Sequence, residues 1–275
     1  MYSRISQGGF QMIRIAFLGT GAAVPTAERG YTALAIGTET QTILFDCGGE
    51  VYRNLLKARI APATLTDLIL THAHIDHIAG FPSLLECLHL SGHRSPLRIW
   101  GLPSTLDIAE RLLDAFAFEL PRALPFALDI RPVVPEEDLE PLGTMEIAFT
   151  ATSHSIPALA ARVTIPPASE REQAHIIVYS SDTRPAANLE TFAHGCDLLI
   201  LECTFLDNQK EIAYRAGHLT ASQAGQLAQA AQARRLALVH LGVAGGWSVE
   251  DARHEAQAAF SGPVIIPNDY EVIEL

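Results

Sequence analysis

The sequence predicts an α/β protein in which two sheets pack face to face with helices on the outside. Three observations point there. Strand-like runs come in clusters with helices between them, in two halves of roughly 13–120 and 126–275. Hydrophobic residues make up 48% of the 275 positions and charged residues 18%, which suits a sizeable buried core. Nothing reads as a Ser/Gly linker or a low-complexity tract. Residues 1–11 read as an N-terminal extension and 12–275 as one domain.

The elements follow from local pattern. IRIAFLG (13–19) is a buried strand that ends in the glycine-rich turn GTGAA. TALAIGT (32–38) and QTILFDCGG (41–49) are the arms of a hairpin. VYRNLLKARI (51–60) has helical spacing, with its apolar residues on one face. DLILTHAH (67–74) is a short strand, and HIAGFPSLLECLHL (77–90) reads as one helix. LRIWGL (97–102) is a strand, followed by an amphipathic helix over 104–120 that Ser104 would cap. Strands are then predicted around DIRPVV, MEIAFTATSH, LAARVTI and HIIVYSSDT. NLETFAHGC is a helix, DLLILECTF a strand, TASQAGQLAQAAQARR a long helix, LALVHLG a strand, DARHEAQAAF a helix and PVIIPND the closing strand. Residues 81–135 read as a helix- and proline-rich insert that forms a pocket wall or a subunit contact.

Composition narrows the function. The formal net charge is −12, with 19 Lys and Arg in total. That argues against a broad face for binding a polyanion, though not against a local basic pocket. The four cysteines, Cys47, Cys87, Cys196 and Cys203, form no CxxC pair, so a zinc ribbon or a thioredoxin-type site is not expected. Their number fits a reducing cytosol, so the protein is expected to be cytoplasmic. No apolar stretch reaches 18 residues, and the first residues have no signal-sequence pattern, so no membrane association is expected.

The chemistry concentrates in THAHIDHIAG (71–80), where His72, His74, Asp76 and His77 follow a buried strand. In an extended segment His72 and His74 project to the same side. If the chain bends into a helix at Asp76, the carboxylate and His77 face the space those imidazoles bound. Imidazole and carboxylate donors of this density suit two metal ions held close together, with zinc first and manganese or iron as alternatives. A solvated histidine-rich loop is the competing reading. It leaves so many polar groups after a buried strand without partners. One cluster cannot complete two coordination spheres. His154, Asp182 and His240 each follow a strand-like run and are the candidates to complete them, and each alone would read as a cap or a hydrogen-bonding side chain. A carboxylate shared by two cations ~3.5–4 Å apart would be Asp182.

HAHIDH, followed by His154, Asp182 and His240 on later strand ends, resembles the metallo-β-lactamase superfamily. Within it the sequence is similar to ribonuclease Z and its phosphodiesterase relatives. FLGTGAAVPTAERGYTALAI, FDCGG, the stretch from YSSDTRP to LECTF, and GHLTASQAGQLAQAA carry the resemblance along nearly the whole chain. It implies a four-layer αββα sandwich with mixed sheets and the metals at one edge. It implies that His72, His74 and His154 hold one ion, that Asp76, His77 and His240 hold the second, and that Asp182 bridges. It places Asp46 behind the cluster, orienting a ligand. A turn-forming Asp before Gly-Gly is the plainer reading of that residue. His218 of GHLT would lie over the cluster, oriented by Glu202, and with Asp76 these form the expected catalytic set. The competing readings are a helix-capping role for GHLT and a buried, hydrogen-bonded Glu202. Arg184 would either touch a phosphate or be a surface arginine. His89, His93, His175, His194 and His254 receive no site role.

The expected activity is therefore that of a dinuclear metal-dependent hydrolase. Solvent activated between the ions would attack a phosphodiester, and a protonated His218 would serve the leaving oxygen. Only 27 residues separate His154 from Asp182, too few for the long arm that tRNA-processing members insert there. His240 runs on as LGVAGGW, not as the family's Phe–Ser–x–Arg–Tyr-like segment. With the acidic charge, these departures favour a small or cyclic phosphodiester as substrate and disfavour nucleic acid. The alternatives are a ribonuclease Z-type tRNA 3′-end endonuclease and a non-catalytic metal- or ligand-binding protein of the same fold. A lactonase or thioester hydrolase is a further enzymatic reading. Analogy with dimeric relatives points to a homodimer.

Overall fold

The structure, a computed structural model, describes residues 12–116, 124–137, 139, 141–167 and 173–275. The chain opens with β1 (Arg14–Gly19), β2 (Ala33–Gly37), β3 (Thr42–Phe45), α1 (Val51–Lys57) and β4 (Leu65–Leu70). It continues through α2 (Ile75–Ile78), α3 (Phe81–Leu90), β5 (Leu97–Gly101), α4 (Pro103–Ala115) and β6 (Leu128–Pro132). The second run is β7 (Glu146–Ala151), β8 (Leu159–Ile165), β9 (His175–Tyr179), α5 (Ala187–Phe192), β10 (Leu198–Glu202), α6 (Lys210–Ala216) and α7 (Ala221–Ala230). It closes with β11 (Leu236–Val239), α8 (Val249–Ala259), β12 (Val264–Ile265) and β13 (Val272–Glu274).

The strands form two mixed sheets, of order β13-β1-β2-β3-β4-β5-β6 and β12-β11-β10-β9-β8-β7. In the first, β3 to β6 run parallel; in the second, β9 to β12 do. Side-chain alternation explains why the strands read as continuous apolar runs. Ile15 and Phe17 of β1 enter the core between the sheets, while Ala16 and Leu18 enter the core beneath the helices. Likewise Leu198 and Ile200 of β10 face the other sheet, and Leu199 and Leu201 face α7 and α8. Both faces of each sheet are covered, which gives the four-layer αββα sandwich.

Several expected boundaries move. The helix expected over 77–90 is two helices, broken at Ala79–Gly80. A Cβ on Gly80 would collide with the carbonyls of Gly49 and Cys47, so the backbones meet there. Leu102, not Ser104, is the N-cap of α4; Pro103, with its fixed φ and no N–H, supplies the helix start. Residues 81–135 are not an insert, because β5 and β6 extend the first sheet. The division into halves near 120 also fails at the C-terminus, where β13 returns to pair with β1. The expected closing strand 263–269 keeps pairing only over Val264–Ile265, and α6 was not anticipated. Residues 1–11 and the end of the helix expected over 104–120 lie outside the described residues. Among the described residues, no helix is long and apolar enough to cross a membrane.

Candidate metal centre and active site

Strand ends build the site. Asp46 follows β3, His72 to His77 follow β4, His154 follows β7, Asp182 follows β9, Glu202 ends β10 and His240 follows β11. Ligand sites of open α/β sheets lie at such carboxyl ends. The chain must turn sharply there, and Asp46, Ser181 and His240 have left-handed φ of 62°, 53° and 53°. The FDCGG turn lies directly against α2. A Cβ on Gly48 would strike the carbonyl of Asp76, so only glycine lets Asp46 approach His77 this closely.

The structure brings all the expected residues together. Oδ2 of Asp182 lies 3.6 Å from Nε2 of His72, 3.6 Å from Nε2 of His77, 3.7 Å from Nε2 of His154 and 3.5 Å from Nε2 of His240. Nδ1 of His74 lies 3.1 Å from Nε2 of His72 and 3.0 Å from Nε2 of His154. On the other side, Oδ2 of Asp76 lies 3.3 Å from Nε2 of His240 and 3.6 Å from Nε2 of His77. The donors thus fall into two sets, His72–His74–His154 and Asp76–His77–His240, with Asp182 between them. His89, His93, His175, His194 and His254, expected to have no site role, belong to neither set.

These residues fit divalent ions. Two nitrogens bound to one tetrahedral zinc at 2.0–2.1 Å stand about 3.3 Å apart, close to the spacing within the first set. Nε2 of His77 and Oδ1 of Asp182 are buried and have no hydrogen-bond partner, a costly condition unless a cation takes them. Burial, chiefly, drives the imidazoles of His72, His74 and His154 below their ordinary range, so they favour the neutral form that a metal ligand needs. Asp182 is held well below the carboxylate range although burial opposes it, because His240 and His77 face it. Burial likewise opposes, and Asp182 and Asp46 override, in raising His77.

A second layer of partners orients the rings. Asp46, fully buried, accepts from Nδ1 of His77 at 2.8 Å, from the Thr71 N–H at 2.8 Å and from the Thr71 hydroxyl at 2.9 Å. The Thr71 oxygen in turn lies 3.1 Å from Nδ1 of His72. Nδ1 of His154 donates to the Gly217 carbonyl at 2.8 Å. The Thr204 hydroxyl donates to Oε2 of Glu202 at 2.8 Å, which leaves its oxygen to accept from Nδ1 of His240 at 2.9 Å. In each case the bonded Nδ1 directs Nε2 inward. Thr71, Ser181, whose hydroxyl donates to the Thr71 oxygen at 2.7 Å, and Thr204 were not anticipated. Thr71 and Thr204 stand beside motif residues, and that adjacency was the signal available.

His218 sits at the mouth of the cluster, its side chain 15% exposed, with Nδ1 2.8 Å from Oε1 of Glu202. Burial would lower its pKa, but the Glu202 carboxylate outweighs it and raises the imidazole to about 9. Glu202 is itself held by the N–H of Thr183 and by Thr204. The helix-cap reading of GHLT holds at Thr220, which forms a capping box with Gln223 at the start of α7. Arg184 is half-buried, and its Nε–H donates to the Tyr214 carbonyl at 2.6 Å.

Imidazoles and carboxylates gathered at one edge of an αββα sandwich have the build of a metal-dependent hydrolase. The family model described as the beta-lactamase superfamily domain matches residues 41–241. The chain belongs to the beta-lactamase superfamily and, within it, is ribonuclease Z-like. It is 29% identical to the ribonuclease Z of Halorubrum lacusprofundi over 96% of this chain and 97% of that one. It is 30% identical to that of Bradyrhizobium diazoefficiens over 90% and 95% of the two chains. Among solved structures, the metallo-beta-lactamase fold protein YhfI of Bacillus subtilis has a TM-score of 0.79 and 26% identity, over 96% of this chain and all of that one. The short form of human tRNase Z has a TM-score of 0.76 and 25% identity, over 94% and 98%.

These relatives overturn the expected preference for a small or cyclic phosphodiester over nucleic acid, since those named are ribonuclease Z and tRNase Z. The acidic net charge misled because it is a sum over the whole surface, whereas phosphate contacts are local. The short 155–181 segment misled because the match to ribonuclease Z spans 96% of this chain and 97% of that one all the same.

Proposed function

We propose that the chain is a zinc-dependent endonuclease of the ribonuclease Z type that cleaves precursor tRNA at its 3′ end. The observation that carries this reading is the carboxylate of Asp182 standing between two complementary donor sets, with His218 at the mouth. His72, His74 and His154 would hold one ion, Asp76, His77 and His240 the second, and Asp182 would bridge. A pair of divalent ions supplies solvent ionised near neutrality and offsets charge on the phosphoryl oxygens. Nitrogen donors with carboxylates suit zinc, with manganese and iron the competitors.

This chain's own residues do the rest. Asp46, Thr204 and the Gly217 carbonyl hold the ligating rings in one tautomer. The buried walls exclude bulk water from Asp182. The imidazolium of His218, kept protonated by Glu202 through Nδ1, leaves Nε2 as the nitrogen suited to give a proton to the leaving oxygen. Residues 12–275 act as one hydrolase unit in this reading. Four free cysteines among the described residues support a reducing compartment such as the cytoplasm.

The test joins metal analysis to a substrate panel of precursor tRNA, bis-p-nitrophenyl phosphate and cyclic nucleotides. The reading expects two zinc ions per chain and cleavage of precursor tRNA that Asp182→Ala abolishes. Turnover of cyclic nucleotides with intact precursor tRNA would reject it.

A further inference from the structure

We propose that Arg184 is a positioning residue that fixes the turn carrying His154 and the turn carrying His218 at one separation. The inference rests on the roles proposed above for those two histidines. The two turns come from different parts of the chain. Ser153 and His154 follow β7, while Gly217 and His218 follow α6. Arg184 bonds to both. Its Nε–H donates to the Tyr214 carbonyl at 2.6 Å, and its guanidinium lies over the Tyr214 ring, 5.4 Å from the centroid. Its backbone N–H donates to the Ser153 carbonyl at 2.7 Å, and Nη1 reaches the same oxygen at 3.4 Å.

These contacts close a ring. Tyr214 lies in the last turn of α6, and the preceding Ala213 carbonyl accepts the N–H groups of both Gly217 and His218 at 2.9 Å. The Gly217 carbonyl then accepts from Nδ1 of His154. Ser153, next to His154, is held again by Thr183, whose N–H bonds Glu202. The path from Arg184 through Tyr214, Gly217, His154 and Ser153 therefore returns to Arg184. Without the guanidinium, only the His154–Gly217 bond and the longer path from Ser153 through Thr183 and Glu202 to His218 are left to set the spacing of the two turns. A lysine can reach one carbonyl but cannot lie flat on the tyrosine and fork to a second.

The experiment compares the parent with Arg184→Ala and Arg184→Lys. Zinc affinity is measured by competition with a chromophoric chelator on metal-stripped protein, and kcat and KM on bis-p-nitrophenyl phosphate and on precursor tRNA at several salt concentrations. The expected result is about tenfold weaker zinc binding in Arg184→Ala. With zinc saturating, kcat should fall about tenfold on both substrates, KM should move less than threefold, and the salt dependence on RNA should not change. Arg184→Lys should not recover the loss, and added guanidinium should recover part of it in Arg184→Ala. A raised KM on RNA with a salt slope shallower by about one unit, and unchanged zinc affinity, would make Arg184 a phosphate contact and overturn the proposal. Should Arg184→Ala fail to fold, Arg184→Lys carries the same zinc and kcat comparison. If the parent cleaves bis-p-nitrophenyl phosphate but not precursor tRNA, the substrate reading fails, while the zinc and bis-p-nitrophenyl phosphate results still decide the role of Arg184.

Discussion

Replacing Asp46 by Asn tests how far the second layer controls the metal centre. The substitution is nearly isosteric, and Asn tolerates the left-handed φ of 62° at this position. The amide oxygen can keep the bond from the Thr71 N–H, now 2.8 Å to Oδ1. The amide nitrogen would then face Nδ1 of His77, which today donates to Oδ2 at 2.8 Å. Two donors cannot share that contact. His77 must shift its proton to Nε2, the atom aimed at Asp76 and Asp182. A lost hydrogen bond to a charged group is worth about 1.5–3 kcal/mol. Loss of an outer-sphere partner weakens metal binding by about 10–100-fold, or about 1.4–2.7 kcal/mol, and the two figures agree. The expected outcome is a folded protein whose Asp76–His77–His240 site binds zinc 10–100-fold more weakly, with activity recovered in part at high zinc. Calorimetric titration of stripped protein, beside thermal unfolding, measures both. Parent-like affinity at both sites in a folded Asp46→Asn protein would refute the argument that the carboxylate sets the His77 tautomer.

Glu202→Gln should lower kcat on precursor tRNA by about 10²–10⁴-fold, the usual contribution of a positioned acid, because His218 loses its charged partner. Steady-state kinetics with zinc content measured in parallel separates this from loss of metal. Gly48→Ala should destabilise the protein by more than about 3 kcal/mol or expel the Asp76–His77–His240 metal, since the new Cβ meets the Asp76 backbone; urea unfolding and metal analysis detect either. Removing the metal with a chelator should lower the unfolding midpoint by about 5–10 °C when zinc had been present at 100 times its dissociation constant. Differential scanning calorimetry with and without chelator gives the shift, and an unchanged midpoint would contradict a buried metal site.

The site was more legible than the chain's path. His72, His74, Asp76 and His77 fall within six residues, and a strand–helix junction dictates their directions locally. His154, Asp182 and His240 were readable because each follows an apolar strand that must end at a sheet edge. What escaped depends on contacts between distant residues. β13 has three residues and little pattern of its own, and pairing with β1 defines it. The break before α3 arises because Gly80 meets the carbonyls of Cys47 and Gly49, some thirty residues earlier. Ser104 has the composition of a cap, but Pro103 starts the helix one residue sooner. Arg184 could not be assigned because both of its acceptors are carbonyls, which no residue type announces. Substrate choice escaped for a related reason: total charge carries no information about where cations stand.

The left-handed backbone at Asp46, Ser181 and His240 has a consequence for how this protein can vary. At each of these positions two separate demands fall on one residue, the bend of the main chain and the identity of the donor atom. Asparagine and glycine satisfy the bend without supplying the same donor. A library of all substitutions at 46, 181 and 240, sorted for abundance and for cleavage, should therefore split into two lists. Asn and Gly would be enriched among well-expressed but inactive clones, and β-branched residues would be lost from both.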